Sequence, residues 1–458
     1  MKHIHFIGIC GVGMSALAIL WKKKGWKVTG SDAGFYPPVS THLEQNQIDF
    51  YAGWHPEKMG KPDLVVVGNV AGSENPEWLF VQKNNIPHIS YPELIARDLV
   101  KEKSIVCAGT WGKTSTTSLL AHILIHAGFQ PAYMFGGLSL SLPYAADDLG
   151  GGWSILEGDE YKTGKDNPTA KFFSYKPTHL LLTGLEWDHF DMYPTEESYY
   201  DAFHKLMGLI PKNGLIVACS DAKNIGRVLP SAQAKVVRYG RSADADYIFS
   251  DIHGDKNGVR FKITRGDNEY EVYSPMIGNY MAENICAAFA MAAEIGIDPA
   301  KITEAIKSFH GIKRRLEKRG QTDKGASVFD DIAHSPVKAR SVLQTLKNIF
   351  SGKIFAVFEP NTGNRQISSS ASYDHGFDDA DEVIIPRLTK IKIDESSNDP
   401  AMDGKMLSEI INKTHGKVSY VEDDEQLIKY LKTAAGENDA IVFLGSHGFR
   451  GMIESLTA

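Results

Sequence analysis

Ser104-Ile-Val-Cys-Ala-Gly-Thr-Trp-Gly-Lys-Thr-Ser115 runs from an apolar strand through a glycine- and threonine-rich turn into a helix read at Thr116–His126. Backbone N–H groups of such a turn point inward, and the helix N-terminus adds positive potential, so the turn receives phosphates. Lys113 is placed to neutralise the β- and γ-phosphates of a nucleotide, and the Thr114 hydroxyl to ligate Mg²⁺. Gly109, Thr110, Trp111, Gly112, Lys113, Thr114 and Ser115 therefore form an expected ATP-binding loop. Cys107 stands where the full phosphate-loop signature has its first glycine. The competing reading is a glycine turn with a surface lysine; a strand before and a helix after weigh against it.

Working outward, the same strand–helix alternation extends both ways. Toward the N-terminus, strands at His3–Ile9, Lys27–Ser31 and Leu64–Gly68 alternate with helices at Met14–Lys24, Asn75–Asn85 and Pro92–Val100. Downstream come strands at Ser154–Leu156, His179–Thr183 and Leu215–Ala218, polar strand-rich sequence over 235–274, and an alanine-rich helix at Asn284–Gly296. A last unit reads as strands Val328–Ile332, Ile354–Phe358, Glu382–Ile385 and Ala440–Leu444, with helices such as Val337–Ile349 and Gln426–Ala434. The alternation predicts α/β domains on largely parallel sheets. A chain of 458 residues exceeds one ordinary domain. The expected division is 1–102, 103–312 and 313–458.

Composition narrows the function. A formal charge of −7 offers no basic field for broad nucleic-acid binding. Four cysteines, Cys10, Cys107, Cys219 and Cys286, form no C-x-x-C pair, which argues against a zinc site or disulfide framework and fits a reducing cytoplasm. The sequence shows no signal-peptide pattern and no run of about 20 apolar residues that would span a membrane. A cytoplasmic protein with no nucleic-acid or membrane partner is expected.

Three further groups carry chemistry. Gly8-Ile-Cys-Gly-Val-Gly13 follows the first strand, and Asp32 ends the second. Such a turn can receive the diphosphate of a dinucleotide or of a nucleotide sugar, with the acid on a ribose; a plain helix–strand packing turn is as good a reading. Glu157-Gly-Asp-Glu160, Glu186-Trp-Asp-His189 and His204 form an acidic and histidine set. Glu157 and Glu186 follow strands and so fall at the carboxyl edge of one sheet, where ligands bind. Singly each is a solvated acid or a hydrogen-bonded histidine; together, beside a phosphate loop, they suit a metal-assisted phosphoryl transfer. Last, Lys313-Arg-Arg-Leu-Glu317 leads into Asp330-Asp-Ile-Ala-His-Ser-Pro336. Arginines at a domain junction can bind phosphate oxygens, although a solvated basic turn is the commoner use.

With these residues in hand, the chain resembles the Mur ligase family over its full length. The resemblance rests on Gly109-Thr-Trp-Gly-Lys-Thr-Ser115, Glu157-Gly-Asp-Glu160, Gly184-Leu-Glu-Trp-Asp-His189, Arg314-Arg315 and Asp330–Pro336. Two departures stand out. Gly184 replaces the usual asparagine, and in Gly278-Asn-Tyr-Met-Ala-Glu-Asn284 the family's histidine and asparagine are Tyr280 and Met281, so Asn284 alone carries over.

The resemblance implies a Rossmann-like N-terminal domain, a central phosphate-loop ATPase domain and a Rossmann-like C-terminal domain that closes over ATP and brings in an amine. It implies an ATP-dependent ligase of cell-wall peptidoglycan synthesis that activates a carboxylate as an acyl phosphate. Lys113, Glu186 and His189 are the implied catalytic residues; Asn284, Arg315 and Asp331 join the loop in binding ATP. Thr114, Glu157 and His204 would hold Mg²⁺ or Mn²⁺. Gly8, Cys10, Gly11, Val12, Gly13 and Asp32 would bind UDP-N-acetylmuramate. Asp159-Glu-Tyr161, Phe358-Glu-Pro360, Asn69 and Tyr36–Ser40 look like the branch that reattaches a recycled tripeptide, L-Ala-γ-D-Glu-meso-diaminopimelate. That makes a peptide amine the expected acceptor, with His334 and Arg365 on its side and a monomer or weak homo-oligomer as the assembly. The alternatives are L-alanine addition, a nicotinamide-dependent dehydrogenase using the first turn, and a non-catalytic nucleotide-binding protein.

Overall fold

The computed structural model describes residues 1–164, 167–189, 192–389 and 401–458. The chain folds as three α/β domains. The first contains β1 (His3–Ile7), α1 (Val12–Lys23), β2 (Lys27–Asp32), α2 (Val39–Gln45), β3 (Asp49–Ala52), β4 (Leu64–Val67), α3 (Pro76–Lys83), β5 (His88–Ser90) and α4 (Tyr91–Asp98). The strands form a parallel sheet in the order β3-β2-β1-β4-β5. Strand order reverses at β1, so the Gly8–Gly13 turn after it opens at the switch point, where open α/β sheets bind ligands. An unbroken buried run from Met14 to Trp21 holds α1 against the sheet. A capping box between Ser90 and Glu93 starts α4.

The second domain contains β6 (Lys103–Ala108), α5 (Lys113–His126), β7 (Ala132–Met134), β8 (Ala146–Asp148), β9 (Trp153–Gly158), β10 (Lys162–Gly164), β11 (Asn167–Ala170) and β12 (His179–Leu182). It continues with α6 (Glu196–Leu209), β13 (Leu215–Cys219), α7 (Ile225–Val228), β14 (Lys235–Gly240), β15 (Tyr247–Asp255), β16 (Gly258–Arg265), β17 (Asn268–Ser274), α8 (Met281–Glu294) and α9 (Pro299–Lys307). Its main sheet runs β17-β16-β15-β14-β13-β12-β6-β9-β7-β8. β6, buried from Ser104 to Ala108, lies parallel between β9 and β12, in register Cys107↔Glu157 on one side and Ala108↔Leu182 on the other. The ends of all three strands therefore meet at one edge. Residues Met1–His253, Val259–Met276 and Tyr280–Gly311 form one compact unit.

Residues Ile312–Ala458, with Gly254–Gly258 and Ile277–Asn279, form another. Its elements are β18 (Glu317–Gln321), β19 (Ser327–Asp331), α10 (Pro336–Lys347), β20 (Ile354–Glu359), β21 (Glu382–Pro386), α11 (Gly404–His415), β22 (Val418–Val421), α12 (Asp424–Ala434), β23 (Ala440–Gly445) and α13 (Met452–Thr457). The sheet order is β18-β19-β23-β20-β21-β22, parallel except for β18. Side-chain alternation splits its core: Ile354, Ala356 and Phe358 pack with α10 and α11, whereas Phe355 and Val357 pack with α12 and α13. Among the described residues, no helix is long and apolar enough to cross a membrane, and no cysteine is in a disulfide.

Candidate active site

The loop after β6 is laced to the segment after β12. Thr110 donates its N–H to the Gly184 carbonyl (2.7 Å) and its hydroxyl to the Glu186 carbonyl (2.7 Å), and accepts the Glu186 N–H (2.8 Å). Thr183 donates its hydroxyl to the Trp111 carbonyl at 2.5 Å. Gly109 has φ +132°, and a Cβ there would lie 2.3 Å from Thr183 Oγ1, so only glycine fits. Ser115 sits in the first turn of α5, and Asn284 of α8 reaches Thr116 Oγ1 at 3.5 Å, which places it beside the loop.

Lys113 folds back over its own loop: Nζ donates to the Gly109 carbonyl (2.6 Å) and lies 2.9 Å from the Glu160 carboxylate. Glu160 is fully buried, and its other neighbour is His189, with Nε2 at 3.3 Å. The hydrogen bond to Glu160 holds the His189 pKa above its ordinary value, against the effect of burial. Two nitrogen bases thus face one buried carboxylate. Glu186 contributes backbone to the loop, while its side chain is exposed.

Thr114 donates its hydroxyl to Glu157 Oε1 (2.9 Å), and Gly136 donates its N–H to Glu157 Oε2 (2.6 Å). Burial pushes the Glu157 carboxyl up, with Gly136 and Lys113 pulling the other way. A hydroxyl and a carboxylate oxygen side by side suit Mg²⁺, which takes one or two such protein ligands and completes its shell with phosphates and water. His204 is not brought to this pair. Its Nδ1 bonds Ser231 Oγ at 2.8 Å, and it shares a helix face with Tyr200 one turn before. Tyr199, whose hydroxyl reaches Thr110 Oγ1 at 3.0 Å, is on the face toward the loop. A spacing of five residues turns His204 well away from that face. Among the described residues, no group of three or more His, Cys, Asp or Glu is arranged for a metal.

A cleft of about 240 Å³ joins the first two domains within one compact unit; Gly8, Gly11 and Gly13 line one wall, and Glu157, Asp159 and Lys171 another. Cys10, Val12 and Asp32 are not among its lining residues. Asp32 instead accepts the N–H groups of Cys10 (2.8 Å) and Ala33 (2.7 Å), so it fixes the turn itself. Val12 opens α1 and is partly exposed.

In the third domain, Asp331 is buried and accepts the N–H groups of Leu316 (2.6 Å) and Ala333 (2.8 Å); burial raises its pKa. Arg315 is exposed beside it, whereas Arg314 is buried, paired with Asp330 at 3.2 Å and bonded to the carbonyls of Gly445, Ser446 and His447. His334 Nδ1 bonds the Ile332 carbonyl at 2.7 Å, which leaves Nε2 as the acceptor; burial lowers its pKa. Arg365 does not offer an open guanidinium. It is buried and donates Nη1 to the Thr389 carbonyl (2.7 Å), while the buried Glu359 accepts the Thr389 N–H (2.7 Å). Two of the residues read as marks of a peptide acceptor are therefore used to hold the loop at Thr389.

Sequence reading passed over Glu160 and Thr183 as functional positions. Glu160 stands in a quoted segment, but only the fold shows that it takes Lys113. The departure at Gly184 also has its reason here: a Cβ at that position would lie 2.3 Å from Trp111 Nε1, so the indole occupies the space. Gly184→Asn is expected to dislodge Trp111 and the Thr110–Gly184 bond, and to raise the KM for ATP by about tenfold to 10²-fold. Adding Trp111→His should recover much of it. An unchanged KM with unchanged tryptophan fluorescence in the single variant would refute the pairing.

Three family models match in series: the Mur ligase family catalytic domain over residues 3–101, the Mur ligase middle domain over 107–292, and the Mur ligase glutamate ligase domain over 314–447. A UDP-N-acetylmuramate–L-alanine ligase of Clostridium acetobutylicum is 30% identical over 451 residues, covering 97% of this chain and 95% of the relative. A solved UDP-N-acetylmuramate-alanine ligase from Thermotoga maritima shares the fold, with TM-score 0.80 at 24% identity over 99% of this chain and 97% of that one. A solved murein peptide ligase from Psychrobacter arcticus gives TM-score 0.71 at 27% identity over 100% and 98%. Other relatives matched over 97% of the chain also carry the L-alanine name. They overturn the expectation of a recycled tripeptide as acceptor, which had rested on short segments such as Phe358–Pro360. With all three domain models in order along it and a phosphate loop bonded to its carboxylates, the chain belongs to the Mur ligase family of ATP-dependent carboxylate–amine ligases.

Proposed function

We propose that this enzyme joins L-alanine to the carboxylate of UDP-N-acetylmuramate in peptidoglycan synthesis, converting ATP to ADP and phosphate. The observation that carries the reading is the cleft running from the Gly8–Gly13 turn to Glu157, which is itself bonded to Thr114 of the nucleotide loop. A diphosphate at the turn's helix N-terminus would leave the sugar's carboxylate directed at the γ-phosphate.

A carboxylate is a poor electrophile toward an amine. Its oxygen first attacks the γ-phosphorus, the β–γ bridging bond breaks, and ADP leaves an acyl phosphate. The alanine nitrogen then attacks the acyl carbon, the bond to the phosphate oxygen breaks, and the amine loses a proton. Lys113 offsets charge on the transferring group, and the Thr183–Glu186 segment fixes the loop that holds it. Thr114 and Glu157 would hold Mg²⁺ or Mn²⁺, which supplies charge neutralisation at the phosphates.

The test is phosphate release with UDP-N-acetylmuramate and ATP, with and without L-alanine. Release should require both the nucleotide sugar and L-alanine. Turnover that L-alanine does not stimulate, or that only a peptide amine stimulates, would reject this acceptor.

A further inference from the structure

Among the described residues that line the cleft, Lys171 is the single cation. Its Nζ lies 2.6 Å from Asp159 Oδ2, with its side chain 13% exposed, and its N–H donates to the Tyr161 carbonyl at 3.1 Å. The ammonium also lies 5.9 Å from the Tyr91 ring and 5.7 Å from the Tyr161 ring. Both chain and side chain are therefore held in place. Burial pushes the Asp159 carboxyl up, but Lys171, the Tyr161 N–H and Lys113 together hold it below the ordinary value.

The nucleotide loop does not use this lysine, because Lys113 already takes Glu160. The Asp159 side chain is 38% exposed, so the pair sits at the cleft wall and not in the core, where the ammonium can take a further partner. The same wall carries Glu157 and Asp159, two carboxylates that would repel an anionic group arriving from the glycine turn. Lys171 is bonded neither to the metal pair nor to the phosphate loop, and so offers this wall a separate positive charge.

We propose that Lys171 receives the reacting carboxylate of the acid substrate, a sugar-borne carboxylate on a nucleotide diphosphate, and orients it for phosphorylation. This rests on the nucleotide-sugar reading above. Asp159 holds the ammonium at the cleft wall and shares it when the second carboxylate arrives. Lys171 is then a specificity residue: it distinguishes a nucleotide sugar that bears the carboxylate from one that lacks it.

The experiment compares calorimetric binding of UDP-N-acetylmuramate and of UDP-N-acetylglucosamine, which has the same diphosphate and sugar ring but no carboxylate. The wild type should prefer the first. Lys171→Met should weaken the first by about tenfold or more and leave the second within about twofold. Asp159→Asn, which frees the ammonium, should keep or increase the preference. Equal weakening of both ligands by Lys171→Met would overturn the assignment, and so would loss of preference in Asp159→Asn. Should Lys171→Met fail to fold, the Asp159→Asn result still decides. Failure of the wild type to bind either ligand would remove the nucleotide-sugar reading itself.

Discussion

Lys113→Ala is expected to lower phosphate release by on the order of 10³-fold or more, with the fold retained. Lys113 Nζ lies between the Gly109 carbonyl and Glu160, in a loop whose other members carry no charged side chain. Removing it takes away the positive charge that follows the transferring phosphoryl group. It also leaves the buried Glu160 with His189 as its remaining basic neighbour, so some loss of thermal stability should accompany the loss of rate. Lys113→Arg should not rescue, because a planar fork cannot occupy the place of a compact ammonium folded over Gly109. The check is single-turnover phosphate release beside a melting curve. A folded alanine variant with near-normal release would reject the role.

Glu157→Gln should lower kcat by on the order of 10²- to 10³-fold and shift the Mg²⁺ requirement to higher concentration. The amide keeps an oxygen for the Gly136 N–H and nearly the same volume, so the strand end should stay in place while the charge is lost. Thr114 would then face a neutral group. Titrating Mg²⁺ and Mn²⁺ against phosphate release separates this from a folding defect. A variant with an unaltered metal dependence would show that the cation is held elsewhere.

The strands that carry the site were legible because they are buried on both faces. Ile105–Ala108 and His179–Leu182 read as apolar runs, and a run followed by glycine and threonine has few other uses. Several edge strands were not read. Asp49–Ala52, His88–Ser90 and Glu317–Gln321 lie at sheet edges, where a strand buries less and can be short or highly charged. In the site, the loop and Glu157 could be read from their neighbours in sequence. The partnership of Lys113 with Glu160 could not, since it spans 47 positions and depends on how β9 lies beside β6. His204 shows the converse. A histidine on a helix has a face as well as a position, and the face is set by what Tyr199 and Tyr200 pack against, which composition does not reveal.

The placement of β6 has a consequence for how the enzyme is made. It pairs with β9, about fifty positions later in the chain, and with β12, more than seventy later. Until a ribosome has released that much sequence, the phosphate loop has neither Glu157 beside it nor Thr183 and Glu186 beneath it. Closing such distant pairings is the slow part of folding a parallel sheet. Nucleotide can therefore act only on chains that have completed the central sheet. It should protect those chains by mass action while leaving nascent or partly folded ones to chaperones and proteases.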